Sequence, residues 1–248
     1  MKNIGKRWML SVLLVLGCAG AHAQVFNLER QFDGVHKNEI DGRLMGGDNV
    51  VTDPFFGESF TWTHHFTDRW SIRTGERIQF LKWVYSLDVM GTYRLPIRRT
   101  NLYFDLRVLG SLYGRFAVNE VVVNTSAYWE ARYMDLRFGC SLIHFHKNHV
   151  KKEYDYTDAS YTQPITFTVG VGFNLRPRGN KWNLGLFLRN YDDFYYENWN
   201  INWGFRGYWK INDTMKFHAE WNIRPAGSMS QLATRYESSL KFGLKYVW

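Results

Sequence analysis

Polar and apolar side chains alternate one by one along most of this chain. In "NLYFDLRVLGSLY", Leu102, Phe104, Leu106 and Val108 alternate with Tyr103, Asp105, Arg107 and Leu109. In "PITFTVGVGFNLR", Ile165, Phe167, Val169, Val171, Phe173 and Leu175 alternate with Thr, Gly and Asn. "NWNINWGFRGYWK" sets Trp199, Ile201, Trp203, Phe205 and Trp209 against Asn200, Asn202, Arg206 and Lys210. "TMKFHAEWNIR" sets Met215, Phe217, Ala219, Trp221 and Ile223 against Lys216, His218, Glu220 and Asn222. A strand points successive side chains to opposite faces, so this period of two predicts strands with one apolar and one polar face. It places strands over 36–45, 55–66, 70–80, 84–94, 101–114, 121–132, 136–146, 164–175, 181–189, 199–209, 215–223 and 235–248.

Two kinds of connection separate them. Short ones at 67–69, 96–100, 133–135, 176–180 and 211–214 carry the Asp, Asn, Gly and Pro that supply turn dihedrals. Longer pieces at 46–54, 115–126, 147–163, 190–198 and 224–234 alternate with them, and 81–83 is a short exception. An even number of strands leaves both termini on the side of the short turns. No helix is predicted beyond the N-terminal segment.

The last strand poses the question of which face meets water. In "RYESSLKFGLKYVW" the even positions include Leu240, Phe242, Leu244, Tyr246 and Trp248, and the odd ones Arg235, Glu237, Lys241 and Lys245. A soluble barrel of twelve strands would have to fill a wide interior with the apolar face, whereas a membrane barrel turns it to lipid. Phe66, Trp70, Tyr93, Tyr133, Phe138, Phe173, Trp182, Trp209, Phe217, Tyr246 and Trp248 all flank the short turns or the end of the last strand. They have the apolar parity and one common height, as amphipathic aromatics do at a membrane–water boundary. The expected fold is therefore all-β: a transmembrane antiparallel β-barrel of about twelve strands in meander order. Glu58 and Glu76 break the pattern, because they have the parity of Phe60 and Ile78. They call either for a position near the outer rim or for a register shift at Gly57 or Gly75.

The N-terminus reads as an export signal. Lys2, Lys6 and Arg7 precede a short apolar run from Trp8 to Leu16, and Ala21-His22-Ala23 is a small-x-small cleavage site. This gives a signal peptide over 1–23 and a barrel domain over 24–248. "VLGC" offers the rival reading of a lipoprotein box at Cys18. Cys140 is then the one cysteine of the exported chain, so no internal disulfide is available. The signal carries three of the eight excess positive charges, and the mild remainder is far from a nucleic-acid signature.

The signal, the alternation and the aromatic ending together resemble the outer-membrane β-barrel proteins of Gram-negative bacteria. The resemblance implies a multi-pass barrel in the outer membrane with both termini periplasmic. It also implies that the insertion machinery recognises the last strand through Leu240, Phe242, Leu244, Tyr246 and Trp248. It carries no particular substrate.

The inward parity supplies the candidate functional residues. They are Arg73, Arg77, Asp88, Asp105, Arg107, Glu130, Arg132, Arg137, Arg189, Arg206, Glu220, Glu237 and Lys241, with Glu39, Arg43, His218 and Lys245 in the same register. Such an arginine-dominated wall fits a porin-like channel for small polar or anionic solutes, or a set of structural Arg–carboxylate cross-links. Two other classes are weighed against it. A surface-interaction barrel would use "EYDYTD" at 153–158 and "NYDDFYYENW" at 190–199 to stack on sugars or hold Ca²⁺. A lipid hydrolase would need a base such as His65 beside a nucleophile, and no family motif of that kind is present. His144, His146 and His149 have a spacing that suits Zn or Cu, but Lys147 opposes a cation. The expectation is a non-enzymatic barrel with no cofactor, no metal and no nucleic-acid partner, set among outer-membrane lipids.

Overall fold

The computed structural model describes residues 37–49, 53–80, 84–97, 100–113, 118–147, 160–177, 179–190, 201–226 and 235–248. Residues 1–23 with Cys18, residues 24–34, His149 and the 153–158 and 191–199 stretches lie outside them. Twelve strands run in chain order: β1 (Asn38–Asn49), β2 (Asp53–His65), β3 (Trp70–Gln79), β4 (Val84–Ile97), β5 (Thr100–Tyr113), β6 (Val118–Glu130), β7 (Met134–Lys147), β8 (Ser160–Asn174), β9 (Trp182–Arg189), β10 (Asn202–Lys210), β11 (Met215–Ala226) and β12 (Arg235–Val247). Each pairs antiparallel with its neighbours in sequence, and β1 pairs with β12 to close the barrel. At the seam the Trp248 carbonyl accepts from the Lys37 and Asn38 amides, both at 3.0 Å.

The pleat sorts side chains as the alternation predicts, with the apolar set outside. On β5, Phe104 is 45 % exposed and Leu106 58 %, while Asp105 and Arg107 between them are each 2 % exposed. In a soluble fold those exposures would be reversed. A large apolar side chain held in water instead of an apolar medium costs about 1.5–3 kcal/mol, and this face continues around every strand, so it demands hydrocarbon as its solvent. The aromatics beside the short turns face outward in one belt. Trp70 packs on Tyr93 with ring centroids 4.7 Å apart, and Tyr246 stacks on Trp248 at 5.6 Å.

Three local expectations are corrected. The connections placed at 46–54 and 115–126 are mostly strand: β1 and β2 pair up to Asn49–Asp53, and β5 and β6 up to Tyr113–Val118. Gly46-Gly47 reads as loop chemistry, yet Gly47 lies where the backbone of β12 comes too near for a side chain; a Cβ there would stand 2.8 Å from Ser239 Cα. Second, β8 begins at Ser160 instead of 164. Its pairing with β7 shifts between Ser141 and Ile143, opposite Thr166 and Gln163. That leaves one extra residue on β8 around Pro164, and a bulge is where a strand accommodates a residue without an N–H. Third, the turn expected at 133–135 lies one step earlier. Ala131 N donates to Met134 O at 2.8 Å, and β7 starts at Met134, which turns Asp135 inward.

No register shift rescues the two glutamates. Pairing runs unbroken from Gly57–Gln79 to His65–Ser71, and from Trp70–Tyr93 to Gln79–Val84. Glu58 and Glu76 face outward within the apolar band.

Candidate functional site in the barrel lumen

The inward positions of the strands form a continuous polar lining. Toward the middle of β4 to β7 the Arg107 guanidinium donates to Asp88 at 2.8 Å, and Arg73 approaches the same carboxylate at 3.9 Å. Asp105 accepts from Thr92 and from Arg137, both at 2.8 Å, and Arg137 also donates to Ser126. Asn124 donates to Ser141 at 2.7 Å and Thr168 at 3.1 Å. Glu130 accepts from the Tyr103 hydroxyl at 3.0 Å. On the other side of the barrel Glu220 accepts from Arg189 at 2.6 Å and Lys241 at 3.2 Å. Asp41 holds Arg43 and His218, each at 2.7 Å, and Glu39 holds His65 at 2.9 Å and Lys245.

Among the pairs that reach past intervening strands, two cross directly over a glycine. Arg206 on β10 meets Asp135 on β7 at 2.6 Å, across β8 and β9. Gly172 of β8 lies beneath the pair. A Cβ there would fall on the Arg206 guanidinium and within 2.5 Å of Asp135 Oδ1. His218 crosses β12 to Asp41 over Gly243, where a Cβ would overlap the imidazole. The glycines therefore act as gaps in the wall that let long side chains lie flat across it.

The predicted residues sort as follows. Arg73, Arg77, Asp88, Asp105, Arg107, Glu130, Arg137, Arg189, Arg206 and Lys241 are inward and buried, and Glu220 is half-buried beside Arg189. Arg132 is not among them. It stands exposed in the turn between β6 and β7 with its guanidinium 5.5 Å from the Tyr133 ring, because β6 ends at Glu130. Glu237 pairs through its backbone with Arg224, and its side chain lies outside the described set. The parity reading missed three buried carboxylates, Asp41, Glu120 and Asp135. Asp41 shares the parity of Glu39 and Arg43, so that signal was available. Glu120 and Asp135 were hidden by the misplaced ends of β6 and β7. With them included, the lining carries acids nearly in step with its arginines and lysines. It also holds an apolar cluster of Tyr103, Leu109, Val122, Tyr128 and Ile143.

At mid-depth water reaches almost none of this wall. Arg107 and Asp105 are 2 % exposed, and Asn124 and Arg137 are 1 %. The histidines inside the barrel, His65 and His218, each engage a carboxylate. Outside it His144 bonds Thr162 at 2.9 Å, and among the described residues no three His, Cys, Asp or Glu side chains gather as a metal site.

This geometry defines a closed twelve-stranded antiparallel β-barrel with an apolar outer face and a polar lining. No family profile and no curated protein sequence matches the chain. Solved structures do share its fold. The KdgM porin in complex with disordered oligogalacturonate aligns at a TM-score of 0.57 and 9 % identity, over 85 % of this chain and 99 % of that one. The COG4313 outer membrane channel from Pseudomonas putida F1 aligns at 0.53 and 10 % identity, over 91 % and 100 %. The translocator domain of the autotransporter NalP from Neisseria meningitidis aligns at 0.52 and 11 % identity, over 88 % and 90 %. Porin, channel and translocator share one scaffold here, so the task must be argued from the lining.

Proposed function

We propose that this protein is a porin-like channel of a Gram-negative outer membrane, passing small polar or anionic solutes through an arginine-bearing lumen that ion pairs hold narrow at mid-depth. The observation that carries this reading is the layer formed by Asp88, Arg107, Asp105 and Arg137, in which guanidinium groups are bonded to carboxylates instead of being replaced by apolar filler. Arginine recognises carboxylate or phosphate through the same planar donors that now hold Asp105 and Asp88. An anionic solute entering the layer exchanges with these acids without leaving a guanidinium unpaired. Both termini are then periplasmic, the segment before Gln24 is removed on export, and the aromatic ending at Trp248 is the handle for insertion.

Planar-bilayer conductance of the refolded mature protein tests the proposal. Small, discrete currents are expected. Replacing Arg107 and Arg206 by Ala should enlarge them and reduce anion preference. No current from either protein would sink the channel reading. The burial of the Arg107 layer favours a second reading in that event: an inert barrel that presents its outer loops to a partner. Loss of ligand binding on deletion of 190–198 would then support that reading.

A further inference from the structure

We propose that Arg176 and Arg132, on neighbouring turns at the end of the barrel that carries the termini, form a site for the phosphate of a membrane phospholipid. The turn from β8 to β9 is fastened at several points. Asn183, buried inside the wall, accepts from the Arg176 amide at 3.1 Å and donates to the Arg176 carbonyl at 3.0 Å. Leu175 N donates to Leu184 O at 2.8 Å, and Asn180 donates to the Pro177 carbonyl at 2.6 Å. Gly179 supplies the positive φ of 92° that the turn needs. Held in this way, Arg176 lays its guanidinium over the Trp182 ring, 3.5 Å from the centroid. Trp182 belongs to the outward belt, directly opposite Trp209 on β10. The cation therefore lies on the lipid side of the rim, at the depth where tryptophan rings mark the head groups.

Stacking occupies the face of a guanidinium and leaves its edge. The N–H donors lie in the plane of the group, set to engage two oxygens of one oxyanion. Among the described residues no carboxylate or carbonyl accepts from the Arg176 side chain. Asp135, the acid at the foot of β7, is committed to Arg206 inside the barrel. Asp213, on the β10–β11 turn, is exposed and makes no ion pair with Arg176.

Arg132 repeats the arrangement on the next turn. It is exposed, stands 5.5 Å from the Tyr133 ring and has no acid partner among the described residues. The Asn174 amide donates to the Tyr133 carbonyl at 2.8 Å, so the two turns abut and their cations flank one stretch of rim. Immediately below, Phe173 is exposed and Leu175 is 72 % exposed. Cations above and bare apolar side chains beneath match a lipid, with its phosphate above its acyl chains. A free oxyanion would satisfy the arginines and leave Leu175 uncovered. The site rests on the lipid-facing wall and not on the channel reading.

The test uses the full mature barrel in detergent, with phosphatidylglycerol as probe and diacylglycerol of the same chains as reference. Bound lipid is counted by native mass spectrometry. The barrel is expected to retain phosphatidylglycerol and to release diacylglycerol. Arg176→Gln should raise the Kd of the retained lipid about fivefold. Arg176→Lys, which keeps the charge without the planar fork, should raise it about twofold. Arg69→Gln, an exposed cation of the β2–β3 turn outside the site, should leave it unchanged. Equal retention of the two lipids would overturn the proposal. So would a Kd that Arg176→Gln leaves unaltered in a barrel that folds normally by heat-dependent gel mobility. A loss as large with Arg69→Gln as with Arg176→Gln would mean diffuse attraction and no site. Displacement by inorganic phosphate at the concentration of the lipid would show a site for the free anion and overturn the lipid assignment.

Discussion

At the scale of single residues, the glycines on the inner wall matter as much as the charges. Gly172 leaves the space in which Arg206 meets Asp135. Gly172→Ala should therefore destabilise the barrel by about 1–3 kcal/mol, the usual cost of forcing a methyl into packed space, measured by urea unfolding in vesicles. Asp135→Asn should cost more, about 3–5 kcal/mol, because it leaves Arg206, 2 % exposed, as a buried charge without its acid. Glu76 runs the other way. It faces lipid without any register shift, so Glu76→Leu should raise stability by up to about 2 kcal/mol in the same assay. Parity alone exposed that misfit in the sequence. It did not reveal the Arg206–Asp135 contact, since alternation says which face a side chain takes and nothing about which distant strand it touches.

The elements were legible to the extent that hydrophobic rhythm continues to their ends. β9 is apolar on alternate residues throughout, and its predicted limits agree with the structure within a residue. The rhythm fails where polar or glycine residues carry the strand onward, as at Gly46-Gly47 in β1 and Asn119-Glu120 in β6. It also slips at Pro164, where the bulge lets β8 continue as far as Ser160. Arg132 was misplaced for the same reason: one residue at a strand end decides between lumen and turn. The bulge itself supports a prediction. Replacing Pro164 by Val supplies an N–H and a β-branched side chain suited to a regular ladder. Hydrogen exchange should then show slower amide exchange around Ile143 and Ile165. Unchanged protection would mean that the bulge is fixed by its neighbours and not by the proline.

The whole molecule is organised by one inversion, apolar outward and charged inward, and this was the most legible feature of all. Trp248 and the aromatic belt pointed to it before any coordinate, because amphipathic rings sorted to one height have no purpose inside a soluble core. What the sequence withheld was the state of the lumen, which depends on how side chains from opposite walls interlock. A further property follows from the seam. β1 bonds to β12, so the first strand stays half-satisfied until every other strand has been made and brought round to it. Until then the sheet has two raw edges, each able to recruit a foreign chain. The order of closure is therefore fixed by topology, and the chain stays open to unwanted pairing until the moment the ring shuts.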